Sequence, residues 1–368
     1  MGLRTRTGSR GGGRTFAVAA LLVALVAFVA AGCGGSDNGG STGSGGSASG
    51  GKKYKIGVSN TLVGNGWREE MICAVKAEAA ASGKVSEVVV SNQNGGAPEQ
   101  IAAMRNLISS GVNAIIVNPA DPNALNPVIK EAKRRGIVVV SVDSAVTAPE
   151  AYVVTNDQKA YGQLGGEWLA KAMGGKGNVV EMRGIKGVPA DTDRHAGFME
   201  ALSKYPDIKV VKETFTNWSF APGGKQALDI LNSGTKVDGI WTSGIDYTVV
   251  QAFQTAKKPY VPVVGADNNK FLEQMKELEG KGFKGAAVTN PAAIGGVGTS
   301  IAIDALEGKN PQHKTTLTPQ VWDMATAKDK IDQFYDSSLP PTYSSQMLVE
   351  PYTHYSQDQL KQCQGPGA

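Results

Sequence analysis

KYKIGVSNTLVGNGWREEM, residues 53–71, decides how the chain folds. An apolar strand, KYKIGVS, runs into Gly64-Asn65-Gly66, and a helix opens on Trp67, Arg68, Glu69 and Glu70. A glycine-rich turn between strand and helix is the place where open α/β folds hold ligands. Such a turn either cradles a phosphate or forms one wall of a site for something neutral and flat.

The same strand–helix rhythm repeats outward from this turn. EVVVSN, VNAIIVNP, IVVVSVD and AYVVTN read as strands, as do GNVVEMRG, IKVVKETF, VDGIWTSG, VPVVGAD and FKGAAVTN. Helices are expected between them over 67–82, 98–110, 121–135, 158–173, 191–205, 221–232, 246–256 and 271–279, with a last one over 292–306. Asp121-Pro122 reads as N-cap and first turn, and Gly111 and Gly136 as stops. Short, nearly continuous apolar strands separated by helices are the signature of parallel sheets covered on both faces. Two sets of units, about 54–155 and 156–289, predict an α/β protein of two doubly wound, Rossmann-like lobes. Residues beyond Thr315 leave this rhythm. Thr326 with Asp329 is expected to cap one more short helix, and a Pro- and Tyr-rich tail follows.

The N-terminus reads as an export signal. Arg4, Arg6, Arg10 and Arg14 precede FAVAALLVALVAFVAA, a 16-residue apolar run over 16–31. That is short of the ~20 residues a membrane span needs. Ala30-Ala31-Gly32-Cys33 resembles a bacterial lipobox, so residues 1–32 are expected to be removed and Cys33 to be lipidated. Residues 33–52 are almost entirely Gly and Ser, and the 18 residues 34–51 make a flexible tether with a coil reach of about 23 Å. The body is therefore expected on the outer face of the cytoplasmic membrane. Removing the four leader arginines from 37 basic residues leaves 33, equal to the 33 acidic ones. A neutral body lacks the basic footprint that nucleic acid requires.

Candidate binding residues lie where each strand ends: Asn65, Trp67 and Arg68; Asn118 and Asp121; Asp143; Asn156 and Asp157; Arg194; Trp218; Asp246; Asp267; and Asn290. Asp, Asn and Arg each present paired polar groups in one plane, a match for vicinal hydroxyls. An indole face suits the apolar C–H face of a sugar ring, and Trp67 and Trp218, one from each lobe, are placed to sandwich one. Asn and Asp after strands also serve as ordinary caps and turn formers. No phosphate loop, third dinucleotide glycine or nucleophile elbow is present, and the three histidines are scattered. No catalytic residue, cofactor or metal site is assigned. Cys73 and Cys363, the pair left beyond Cys33, form a disulfide candidate in an exported chain. Cys73 points away from the Met71, Val75, Ala79 stripe of the first helix and is expected to meet the C-terminal tail.

Residues 54 to about 322 resemble periplasmic sugar-binding proteins of the ribose/galactose type, which serve ABC importers. The resemblance is carried by IGVSNTLVGNGWREEM, AIIVNPADPNAL, GIVVVSVDS, VVTNDQKAYGQLGGEWLA, GIKGVPADTDRHAGF, IWTSGIDYTVVQAF, VVGAD and AAVTNPAAIG. It implies the type I binding-protein fold, with three hinge crossings near Thr155, Thr289 and 315–322. The first lobe would then be 53–155 plus 290–314, the second 156–289 plus 315–322, and 323–368 an extension. It also implies ligand contacts at Asn65, Trp67, Asn118, Asp143, Arg194, Trp218, Asp267 and the Thr289–Asn290 pair. Two departures stand out: Arg68 replaces a second aromatic in the first turn, and Ile245-Asp246 replaces an Asn-Asp pair. The partners implied are a sugar and an importer permease, with the receptor a monomer. A sensing subunit for a membrane kinase or chemoreceptor on the same fold is the alternative. A repressor would need a DNA-binding helix-turn-helix where the leader and tether lie. A glycosidase would need a carboxylate pair, for which only Asp143 and Asp267 offer themselves.

Overall fold

A computed structural model of the protein describes residues 52–367. The leader, Cys33 and all but the last residue of the Gly/Ser segment lie outside that range. The first lobe opens with β1 (Tyr54–Asn60), α1 (Gly66–Ala81), β2 (Val85–Asn92) and α2 (Ala97–Ser109). It continues with β3 (Ala114–Val117), α3 (Asn126–Arg134), β4 (Val138–Asp143) and β5 (Tyr152–Asn156). The second lobe holds α4 (Gln158–Ala172), β6 (Lys176–Arg183), α5 (Pro189–Leu202), β7 (Asp207–Phe215) and α6 (Phe220–Asn232). It is completed by β8 (Gly239–Thr242), α7 (Asp246–Ala256), β9 (Val263–Ala266), α8 (Asn269–Leu278) and β10 (Gly285–Val288). The chain then returns through α9 (Ile294–Leu306), which packs on α1, and ends in β11 (Lys314–Leu317), β12 (Val321–Asp323), α10 (Lys328–Phe334) and α11 (Gln357–Gln362).

Each lobe is built on a six-stranded sheet, in the orders β11-β5-β4-β3-β1-β2 and β12-β10-β9-β8-β6-β7. All pairings are parallel except β10 with β12. The strands β3 (AIIV), β8 (GIWT) and β10 (GAAV) are buried at every position, as a sheet covered on both faces requires. No helix of the described residues is long and apolar enough to cross a membrane.

Some boundaries differ from expectation. The helix expected from Asp121 starts at Asn126, because Asp121 Oδ1 accepts from the amides of Asn123 (2.8 Å) and Ala124 (2.7 Å) and closes a separate turn first. Thr326 does not cap α10; its amide and hydroxyl both donate to Asp323 Oδ1, and Ala327 holds the cap position. Residues 314–317 pair with β5 and so belong to the first sheet, which puts the third crossing at 318–320.

α4 and α5 approach each other at backbone contact. A Cβ built on Gly162 would sit 1.9 Å from the Arg194 carbonyl oxygen, and one on Gly197 1.9 Å from that of Lys159. Only glycine fits either position. The contact matters for the site because Arg194 lies on α5, one turn before Gly197.

The C-terminal extension runs back over both lobes. Asn269 donates its amide to the Tyr343 carbonyl (2.7 Å), and Lys270 to that of Pro341 (3.1 Å). Farther on, Glu78 of α1 accepts from the His354 amide (2.8 Å), and Val88 of β2 donates to the Pro366 carbonyl (3.0 Å). A Cys73–Cys363 disulfide, with Cα atoms 4.5 Å apart, fixes the tail to α1, and Tyr355 and Leu360 pack around it with Ala74 and Ala77. A bond closing so long a loop contributes typically about 2–4 kcal/mol, largely by restricting the unfolded chain.

Candidate functional site

The cleft between the lobes spans about 550 Å3 when the solvent at its open mouth is counted. Seven of the expected residues line it: Asn65, Trp67, Arg68, Asp143, Arg194, Trp218 and Asn290. Asn65 is the N-cap of α1, its Oδ1 accepting from the Arg68 amide (3.1 Å), while its Nδ2 donates across the cleft to the Trp218 carbonyl (3.1 Å). Leu62 of the first lobe packs with Val188, Ala190 and Trp218 of the second. The lobes therefore meet over the cleft. Trp67 donates its indole N–H to the Asn290 carbonyl (2.5 Å), which fixes the ring plane at the cleft wall.

A buried polar chain runs beneath. Asp143 sits at φ 65°, a left-handed conformation that Asp tolerates better than most residues and that swings its carboxylate off the end of β4. Asp143 Oδ1 accepts from Gln158 Nε2 (2.9 Å) and Asn290 Nδ2 (3.1 Å). Gln158 Oε1 in turn accepts from Arg194 Nε (2.7 Å). The Arg194 guanidinium lies 4.2 Å above the Tyr161 ring and donates from Nη1 to the Ser243 carbonyl at 3.4 Å. Arg68 donates to Asn60 Oδ1 (2.9 Å). Burial lowers the Arg68 pKa to about 10, partly offset by the Asp143 charge, so it stays a cation at neutral pH.

Trp218 and Asn217 both adopt positive φ, at 50° and 53°. That backbone lays the Trp218 indole over Gly184, where any Cβ would come within 2.1 Å of the ring, and its N–H donates to Ser243 Oγ (3.3 Å). The expected pair of indoles, one per lobe, thus faces the same space.

The other expected residues, Asn118, Asp121, Asn156, Asp157, Asp246, Asp267 and Thr289, do not line the cleft. Asn118 is fully buried below it, its Nδ2 3.8 Å from Met71 Sδ and its carbonyl holding Gln100. Asp246 turns inward over Gly265, accepting from the Ala266 amide (2.7 Å) and from Asn268 Nδ2. Burial raises its pKa to about 6. Asp267 accepts from the Asn290 amide (3.1 Å) and the Ser345 hydroxyl, and burial pushes its pKa up. Thr289 accepts at Oγ1 from the Gln320 amide (2.8 Å) and at its carbonyl from Asn156 Nδ2 (3.0 Å), which ties the three crossings together. Asp157 caps α4 through the Ala160 amide (2.9 Å). These side chains brace the floor and hinge of the site.

Residues that sequence reasoning passed over also line the cleft or support it. Gln158 was concealed as the first residue of a helix, although it bridges Asp143 to Arg194. Phe220, Asn268, Thr342 and Ser344 line the cleft as well. Glu70, on α1, is buried and accepts from the Ser344 amide (2.7 Å); burial raises its pKa to about 8, which leaves it largely protonated at neutral pH. Away from the cleft, Glu181, His195 and Glu213 gather within 4.8 Å, but Glu181 is taken by His195 and Glu213 by Arg183. The carboxylates of that group are thus held by protein side chains, one by a hydrogen bond and one by an ion pair.

A two-lobed α/β fold with a polar, tryptophan-walled cleft between strand ends and three crossings is that of a solute-binding protein. Residues 56–310 match the periplasmic binding protein domain, and the chain belongs to that family, of the ribose/galactose type. It is similar to the xylitol-binding protein of Mycolicibacterium smegmatis, 30% identical over 67% of this chain and 70% of that one. The galactofuranose-binding protein of Escherichia coli is 26% identical over 76% of this chain and 90% of its own. Among solved structures, an ABC transporter solute binding protein from Thermobispora bispora superposes with a TM-score of 0.74 at 30% identity, covering 84% of this chain and 94% of that one. The fructose binding periplasmic domain of a hybrid two component system gives 0.68 at 26%, over 76% and 94%. These relatives are binding proteins rather than enzymes, and so is this chain.

Proposed function

We propose that the protein is a lipid-anchored receptor that captures a sugar or sugar-like polyol in its cleft and presents it to an ABC importer. The observation that carries this reading is the cleft wall. One indole comes from each lobe, and Arg68, Asp143, Arg194 and Asn290 stand between them. Flat apolar plates with planar hydrogen-bonding groups buried between and beneath them match the alternating C–H faces and hydroxyls of a small carbohydrate. Relatives named for xylitol and galactofuranose are consistent with that chemistry. Capture closes the cleft, and the closed form docks on the permease.

A thermal-shift panel of pentoses, hexoses, polyols, sugar acids and purine nucleosides on the mature chain, with calorimetry on each hit, tests the reading. A ligand that binds only the native state raises the melting temperature by mass action. A shift with one sugar or polyol is expected; silence across all neutral sugars overturns the cargo. A sugar acid as the hit would name Arg68 as the selector. The anchor is tested separately: Cys33→Ser should move the protein from membranes to the soluble fraction, and continued membrane retention would rule the lipid out. A sensory role is the second reading, favoured by the match to the fructose-binding domain of a two component system. Co-purification with a kinase rather than a permease would establish it.

A further inference from the structure

We propose that the C-terminal extension is a third wall of the ligand site, with the Thr342 hydroxyl as a direct ligand contact and the Cys73–Cys363 disulfide as the remote clamp that seats it. The proposal rests on the carbohydrate reading above.

Successive residues of this segment are held by opposite lobes. The Tyr343 carbonyl accepts from Asn269 of the second lobe, and the Ser344 amide donates to Glu70 of the first. The Ser345 amide then donates to the Asp267 carbonyl of the second lobe (2.8 Å). The segment is thus stitched across the cleft rather than laid on one side of it, and Ser344, Ser345 and Gln346 are buried there.

Thr342 lies one residue before the stitch and lines the cleft. It fills the space left by Gly66, the first residue of α1, where a Cβ would approach its Oγ1 to 2.1 Å. Its hydroxyl makes no hydrogen bond among the described residues, and the residue as a whole is half-buried at the cleft wall. A hydroxyl placed so is open to donate to, or accept from, a hydroxylated ligand. Sites built to hydrogen-bond a ligand hydroxyl discriminate strongly against analogues lacking it. Three neighbours on the wall each spend a donor within the protein, Arg194 Nε on Gln158, Trp67 on Asn290 and Asn65 on Trp218, whereas the Thr342 hydroxyl spends none among the described residues. Downstream, the segment is fixed to the first lobe by Glu78 with His354 and by the disulfide, whose cysteines do not line the cleft.

The test compares the mature protein with Thr342→Val, which preserves shape and removes the hydroxyl, and with the Cys73→Ser/Cys363→Ser double variant. Calorimetry uses D-ribose, D-xylose, xylitol and myo-inositol as probes. Thr342→Val is expected to weaken the best ligand at least tenfold and to reorder the ranking, at an unchanged melting temperature. The double variant, or the native protein with reductant, is expected to weaken the same ligand. Native constants and ranking in both variants overturn the proposal. If the native protein binds none of these probes, the best hit of the wider panel replaces them; if that panel is silent too, the carbohydrate reading has failed, and amide exchange of the ligand-free protein decides the wall. Slow exchange at Ser344 and Ser345 that becomes fast in the double variant supports it. Fast exchange in the native protein, or exchange unaffected by the double substitution, overturns it.

Discussion

Replacing Gly197 by alanine should lower the melting temperature by roughly 6–12 °C and weaken ligand binding at the same time. The new Cβ would lie 1.9 Å from the Lys159 carbonyl oxygen and 2.9 Å from the Gln163 amide nitrogen. Both obstacles are backbone, so no side chain can swing aside, and α5 must retreat from α4 by about 1 Å or more. Overpacking of this kind costs typically about 1–3 kcal/mol, and a backbone–backbone clash belongs at the upper end. For a chain of this size each kcal/mol moves the midpoint by about 2–4 °C. Arg194 rides on α5, so the same retreat stretches its 2.7 Å bond to Gln158. Gly280→Ala is the control, because a Cβ there meets open space at ordinary φ and should change stability by less than about 0.5 kcal/mol. Scanning calorimetry checks both; a Gly197→Ala protein as stable as the control would mean that the helices do not touch as described.

Arg194→Ala should weaken the cargo by roughly 10- to 150-fold. A hydrogen bond from a charged donor is worth about 1.5–3 kcal/mol. Arg194 is fixed on three sides: by Gln158, by the Ser243 carbonyl and by the Tyr161 ring. The guanidinium therefore meets a ligand at little entropic cost, and the alanine variant also leaves Gln158 Oε1 without a donor in a buried place. Arg194→Lys should recover only part of the loss, since an ammonium cannot reproduce the planar fork. Titration calorimetry on the ligand identified by the panel is the measurement, and an unchanged dissociation constant would remove Arg194 from the site.

The fold was legible because its central strands are buried on both faces. Runs such as AIIV and VVVSVD are then continuous, and the turns between them carry caps and glycines at the right places. β11 and β12 were not legible: they are four and three residues long, sit at sheet edges, and carry no apolar run. The site was legible only as a set of strand ends. Sequence places Asp143, Asp246 and Asp267 alike, yet a left-handed φ turns Asp143 to the cleft, while Gly265 admits Asp246 to the interior and Ser345 takes Asp267. Gln158 was hidden by its position at a helix start. Thr342 and Ser344 reach the cleft from roughly 270 residues beyond the turn they cover, a distance that no local pattern encodes.

The bond from the Val88 amide to the Pro366 carbonyl has a consequence for how copies of this protein behave together. β2 ends the first sheet, and an open strand edge presents amides and carbonyls to any other chain that can pair with them. The last residues, held against that edge by the disulfide, occupy it with a proline and a glycine beside Glu87, neither of which supports a further strand. The tail therefore acts as an edge guard as well. A chain lacking its last residues should therefore self-associate more readily at high concentration, which light scattering would read.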